Sequence, residues 1–196
     1  DYAKAHNNLG NTLRELGNLD EAEASYMQAI TLKANYTGAH NNLGATLQEL
    51  GRLGEAEASY RQVILLKPNS AEVYSNLGNT LRELGRLEEA EASLRQSILL
   101  KPDYAKAHSN LGNVLKELGR LEEAEASYRQ AIVINPGFAD VLNNRGIILE
   151  GLSRLEEAAE SYRQAILINP GFADAHNNLG TTLKEMGKLE ETEASY

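Results

Sequence analysis

A Leu-Gly pair returns along this chain at a fixed interval. It stands at Leu9-Gly10, Leu43-Gly44, Leu77-Gly78, Leu111-Gly112 and Leu179-Gly180, with Arg145-Gly146 in the fifth place. Each step is 34 residues. Pro68, Pro102, Pro136 and Pro170 keep the same interval, as do Tyr26, Tyr60, Tyr128, Tyr162 and Tyr196, with Leu94 where a tyrosine is missing. Units that all offer the same faces cannot wrap one central core. They bury those faces by stacking on one another.

Within a unit the apolar spacing gives two helices. The first, from about Ala3 to Leu16, places His6, Leu9, Gly10 and Leu13 on one face. Gly17-Asn18 stops it. The second, from about Asp20 to Lys33, carries Ala22, Tyr26, Ala29 and Ile30 on one face, with Asp20 and Glu21 at its positive end. The later prolines keep each second helix from continuing. Gly10 and Ala22 have no bulk, so the two helices can approach closely around the ring of Tyr26.

On the Leu9-Gly10 pair, Leu13, Ala22, Tyr26, Ala29 and Pro68, each recurring in nearly every unit, the chain resembles the tetratricopeptide repeat (TPR) family. The resemblance spans the chain as one array, with repeats at 1–34, 35–68, 69–102, 103–136 and 137–170 and a partial one at 171–196. It implies an all-α solenoid of stacked antiparallel helix pairs forming a right-handed superhelix, its first helices lining a concave groove. The last residues read as the first half of a sixth second helix. The array reads as a piece of a longer one whose apolar ends are expected to associate end to end.

Composition narrows the partners. A net charge of −9 lacks the basic stripe that nucleic acid requires. No apolar run is long enough for membrane insertion, and without cysteine there is neither disulfide nor thiolate chemistry, which fits a cytoplasmic location. The sequence offers no nucleophile with its own base and orienting acid, so no catalytic residue, enzymatic activity or cofactor is expected. His6, His40, His108 and His176 lie one per repeat, too far apart for a shared metal ion, and read as packing.

The asparagines stand out because they weaken a helix interior by about 0.5 kcal/mol each. Asn8, Asn42, Asn76, Asn110, Asn144 and Asn178 fill one column without exception, while the column of Lys4 drifts through Gly38, Glu72, Lys106, Asp140 and Asp174. A second column holds Asn11, Asn79 and Asn113. Two roles fit: amides that bond the backbone of the previous repeat and hold the stack, or a ladder that pairs with the backbone of an extended or disordered protein segment. The Asn8 column and the wording "NNLGN" resemble the TPR arm of O-GlcNAc transferase and SPINDLY-type proteins. That resemblance implies that Asn8, Asn42, Asn76, Asn110, Asn144 and Asn178 grip peptide backbone, with Asn11, Asn79 and Asn113 as helpers.

The carboxylate clamp of chaperone-binding TPR domains fits poorly. Lys4, Asn8 and Asn42 match its first part, but Glu72 and Asn76 stand where two cations are required. Starting instead from Lys106, Asn110 and Asn144, the next repeat offers Asp174 and Asn178.

The fifth repeat departs from the rest. Arg145 replaces the core-facing leucine, Ile147 the Asn11-type residue, Gly151 a recurrent Glu and Ser153 the loop glycine. Arg145, Ile147 and Gly151 are therefore candidates for a local specificity pocket. The alternative is drift, with Arg145 extending its head to water.

Overall fold

The computed structural model of the protein describes residues 2–193, with side chains through Gly187. Among these residues it is all helix, and the chain divides into two compact units, 1–102 and 103–196, at a repeat boundary. The first unit contains α1 (Tyr2–Glu15), α2 (Leu19–Leu32), α3 (Thr37–Glu49), α4 (Leu53–Leu66), α5 (Ala71–Glu83) and α6 (Leu87–Leu100). The second contains α7 (Ala105–Glu117), α8 (Leu121–Ile134), α9 (Ala139–Gly151), α10 (Leu155–Ile168) and α11 (Ala173–Glu193). Among the described residues no helix is long and apolar enough to cross a membrane.

In both units each odd-numbered helix up to α9 packs on the next as a hairpin, and within a unit successive hairpins meet, α2 on α3, α4 on α5 and α8 on α9. The hairpins close around the small-residue contact expected from sequence. A Cβ on Gly10 would lie 2.6 Å from the Tyr26 ring, one on Gly44 2.8 Å from Tyr60, and one on Gly112 2.5 Å from Tyr128. In the third repeat Leu94 fills the place of the ring, 2.6 Å from a Cβ on Gly78. These tyrosines and the neighbouring Ala22, Ala56 and Ala124 are fully or almost fully buried. Most of the stabilisation of such short helices comes from this packing rather than from helix propensity.

The turns are Schellman closures. In the second repeat the Arg52 N–H donates to the Leu47 carbonyl at 2.8 Å and the Gly51 N–H to the Gln48 carbonyl at 3.0 Å, with Gly51 at φ +74°. The fifth repeat makes the same two bonds, Arg154 to Leu149 and Ser153 to Glu150, but holds Ser153 at φ +58°. A residue with a Cβ is strained there.

Two sequence expectations are corrected. Leu9 is 50 % exposed rather than buried, while Leu77 and Leu111 in the same column are buried. Within a unit the leucine lies beside the second helix of the repeat before it, Leu43 by Met27 and Ile30 and Leu179 against Ala158 and Tyr162, and among the described residues α1 has no such neighbour. In the sixth repeat the expected break at Gly187-Lys188 does not occur, and α11 runs on to Glu193. A turn gains stability when its second helix can bring an aromatic ring back onto the first-helix glycine. Among the described residues Gly180 has nothing within 4 Å of a Cβ. Tyr196, the expected ring, lies outside the described residues.

Candidate functional site

The inner columns of the first helices bond to one another at offsets of 35 and, in one case, 31 residues. Asn42 Nδ2 donates to Asn7 Oδ1 at 3.1 Å and to Asn11 Oδ1 at 2.9 Å. Asn76 donates to Asn41 at 3.4 Å, and Asn178 to Asn143 at 3.0 Å. The partners are side-chain amides of the preceding repeat, not its backbone. Asn8 itself is exposed, and Asn110 and Asn144 are half-buried.

The helper column turns partly inward. Asn11 Oδ1 accepts the Tyr26 hydroxyl at 2.9 Å, and Asn113 Oδ1 accepts that of Tyr128 at 2.7 Å. Burial pushes the Tyr26 hydroxyl above its ordinary value of 10, which keeps it a neutral donor. Asn79 instead donates to Glu83 at 2.7 Å, one turn along its own helix. Asn11 thus links its own second helix to the next repeat's asparagine.

A charged belt runs beside these amides that the sequence reading missed. Arg14 reaches Glu49 at 2.6 Å, and the amide of Gln48 reaches Glu83 at 2.8 Å. The hydrogen bond to Glu49 raises the Arg14 pKa above its ordinary value. The signal was available: a cation or amide in one column and a glutamate 35 residues later recur as Arg14/Glu49 and Gln48/Glu83. Asn11, Arg14, Glu15, Asn42 and Glu49 together line an open depression of about 450 Å³ on the α1–α3 face.

The fifth repeat rewires both networks. Arg145 Nε meets Glu125 Oε1 at 2.9 Å and its Nη1 donates to Ser161 at 3.0 Å. Arg145 therefore lies toward α8 and α10 and is neither at the solvent nor beside Ile147. Two positions apart on a helix is roughly 200°, so the pocket drawn from Arg145, Ile147 and Gly151 does not form as one site. Ile147 is 38 % exposed, and Gly151, one turn further along the same face, is exposed too. With the Asn11-type acceptor gone, the Tyr162 hydroxyl donates to Glu150 at 3.0 Å, and Thr182 also donates to Glu150. Burial, and then the adjoining Glu150 carboxylate, push the Tyr162 pKa up.

The histidines do more than pack. The Nε2 atoms of His40 and His176 each lie 2.9 Å from a backbone carbonyl of the loop before their helix, those of Ala34 and Pro170. Among the described residues no three His, Asp or Glu side chains gather as a metal-binding set.

The TPR repeat model matches residues 10–51, 47–81, 78–119 and 152–187, and the Tetratricopeptide repeat model matches 105–138. The interior stretch left unmatched, 139–151, coincides with α9. Among solved structures, MamA is similar at 27 % identity and TM-score 0.73, over 82 % of this chain and 94 % of that one. YrrB, a TPR protein with an unusual peptide-binding site, is similar at 24 % identity and TM-score 0.69, over 88 % of this chain and 89 % of that one. A thermophilic TPR protein of Thermus thermophilus aligns at 24 % identity and TM-score 0.74, over 92 % of this chain and 98 % of that one. Comparison with curated proteins returned no match. The family models cover most of the sequence, and the helix pairs repeat as those models require. The chain belongs to the tetratricopeptide repeat family.

Proposed function

We propose that this chain is a non-catalytic interaction scaffold whose first-helix face holds the backbone of an extended polypeptide. One observation carries the reading. Both N–H groups of Asn42 are engaged by the preceding repeat, so its Oδ1 stands as an oriented acceptor beside the α1–α3 depression. A peptide N–H is the donor that fits it, whatever side chain follows. Helices packed about 8–10 Å apart and a strand rising roughly 3.3 Å per residue give about one such acceptor for every three ligand residues. YrrB, similar in fold, has a peptide-binding site and supports the reading.

A substrate-recruiting arm of a larger enzyme would use the same face. The unbroken asparagine column, shared in wording with O-GlcNAc transferase-type arms, is the observation in its favour. A catalytic domain in the same reading frame would decide for it.

The test is peptide-array binding of the wild type against a variant with Asn42, Asn76, Asn110 and Asn144 changed to Ala, with folding followed by circular dichroism. Broad loss of peptides by a folded variant supports the grip. Unchanged binding with an earlier melt reduces the asparagines to ties between repeats.

A further inference from the structure

The belt of first-helix pairs has an open socket in the second unit. Lys116 stands in the column of Arg14 and Gln48, each of which reaches a glutamate on the next first helix. For Lys116 the residue in that place is Gly151. Among the described residues Lys116 has no acidic partner, and it is half-buried at the last turn of α7. Glu150 is no substitute, because its two oxygens accept the hydroxyls of Tyr162 and Thr182.

Two further vacancies adjoin this one. Ile147 presents an exposed apolar side chain one turn before Gly151. Asn178, the partner-column residue on α11, bonds Asn143, whereas Asn42 bonds both Asn7 and Asn11, because the second acceptor is replaced by Ile147. One N–H of Asn178 is left to donate. The face thus offers a cation, an apolar wall, a missing side chain and a spare amide donor, where the first unit has the closed pairs Arg14/Glu49 and Gln48/Glu83.

Resting on the peptide-binding reading, we infer that Lys116, Ile147, Gly151 and Asn178 form a selectivity socket for a glutamate side chain of the bound polypeptide. Its carboxylate takes the place that Glu49 holds against Arg14, and its methylenes lie on Ile147. Aspartate is too short to reach from a backbone held on the asparagine column while keeping that apolar contact. In the first unit Arg14 and Gln48 already hold Glu49 and Glu83, so the socket favours one register of a ligand that the asparagines alone would let slide.

The probe is a set of soluble Ser/Ala/Thr peptides of about twelve residues, long enough at roughly 3.3 Å per residue to cross about four repeats. Each carries one Glu or one Gln, and binding is read by fluorescence anisotropy. The wild type is expected to bind the Glu peptides about three- to fivefold tighter than the Gln peptides, the range of a partly exposed ion pair. Gly151→Glu supplies Lys116 with an internal partner and should abolish the preference, bringing Glu and Gln peptides to equal affinity. It fits sterically, since the nearest atom to a Cβ there is the flexible end of Leu121 at 3.2 Å. Lys116→Gln should give the same loss without adding a charge. Equal binding of Glu and Gln peptides by the wild type overturns the socket and leaves the scaffold reading standing. A Glu preference that survives both variants also overturns it. Failure of the wild type to bind any peptide of the set overturns the scaffold reading, and the socket with it.

Discussion

Arg145 and Glu125 form an ion pair 2.9 Å apart in which Arg145 is only 19 % exposed and Glu125 only 6 %. Elsewhere the glutamate of this column pairs with the arginine at the following turn, as Glu23 does with Arg52 and Glu57 with Arg86. In the second unit Arg145 has taken that carboxylate, and among the described residues Arg154 forms its ion pair with Glu157. Arg145→Ala would strand Glu125, and we expect a loss of about 2 kcal/mol in chemical denaturation, below the roughly 3–5 of a fully buried pair because Arg154 lies near enough to respond. Arg145→Leu, the residue of the other repeats, should cost clearly less. A loss of about 3–5 kcal/mol in both variants would count against re-pairing with Arg154.

The glycine–tyrosine contact should tolerate no added methyl. Gly112→Ala forces its Cβ to within 2.5 Å of the Tyr128 ring, and its cost should be about 1–3 kcal/mol by urea denaturation. Gly54→Ala, with nothing within 4 Å, should instead stabilise by about 0.5–1 kcal/mol through helix propensity. A neutral Gly112→Ala would mean that the hairpin can open at no cost.

Ser153 occupies a left-handed position that four other repeats give to glycine at φ 74–79°. Ser153→Gly should raise stability by about 0.5–1 kcal/mol, the relieved strain exceeding the entropy that glycine loses on folding. The reverse exchange, Gly51→Ser, should lower it by a similar amount. Thermal melts of the two variants make the comparison.

Three outer carboxylates give a pH signature. Hydrogen bonds from Arg52, Arg86 and Arg154 hold Glu55, Glu89 and Glu157 below their ordinary value of 4.5. A depressed carboxylate contributes stability above its unfolded pKa and loses that contribution as pH falls through the folded one. The melting-temperature gap between wild type and the triple variant Arg52→Gln, Arg86→Gln, Arg154→Gln should therefore narrow from pH 6 to pH 3. Because all six groups are at the surface, the gap should also shrink in high salt.

Much of the fold could be read from residues 9, 10 and 26 and their equivalents, because small-against-large packing is a local matter that recurs with the period. Helix ends came within a residue or two for the same reason. The break expected after Gly187 was wrong because a turn is stabilised by the helix that returns, not by its glycine alone. At the site, the asparagine column was visible but its partners were not. Asn42 bonds side chains 31 and 35 positions earlier, and only stacking brings these within reach. Arg145 was placed in a pocket with Ile147 on sequence novelty. The pair with Glu125 depends on which side of α9 meets α8, which periodicity in one repeat does not reveal.

The offset bonds bear on how such an array can lengthen. Duplicating the second repeat in tandem inserts Gln48 before a copied Glu49, and Glu57 before a copied Arg52, so the new block arrives already complementary to both neighbours. The fifth repeat lacks this property. A tandem copy would set Arg145 against Ala159, where Glu125 stands now, and Glu150 against Gly151. It would bury an arginine without its carboxylate. Duplication of the second repeat would therefore preserve its contacts to both neighbours, whereas duplication of the fifth would cost the array the partner of Arg145.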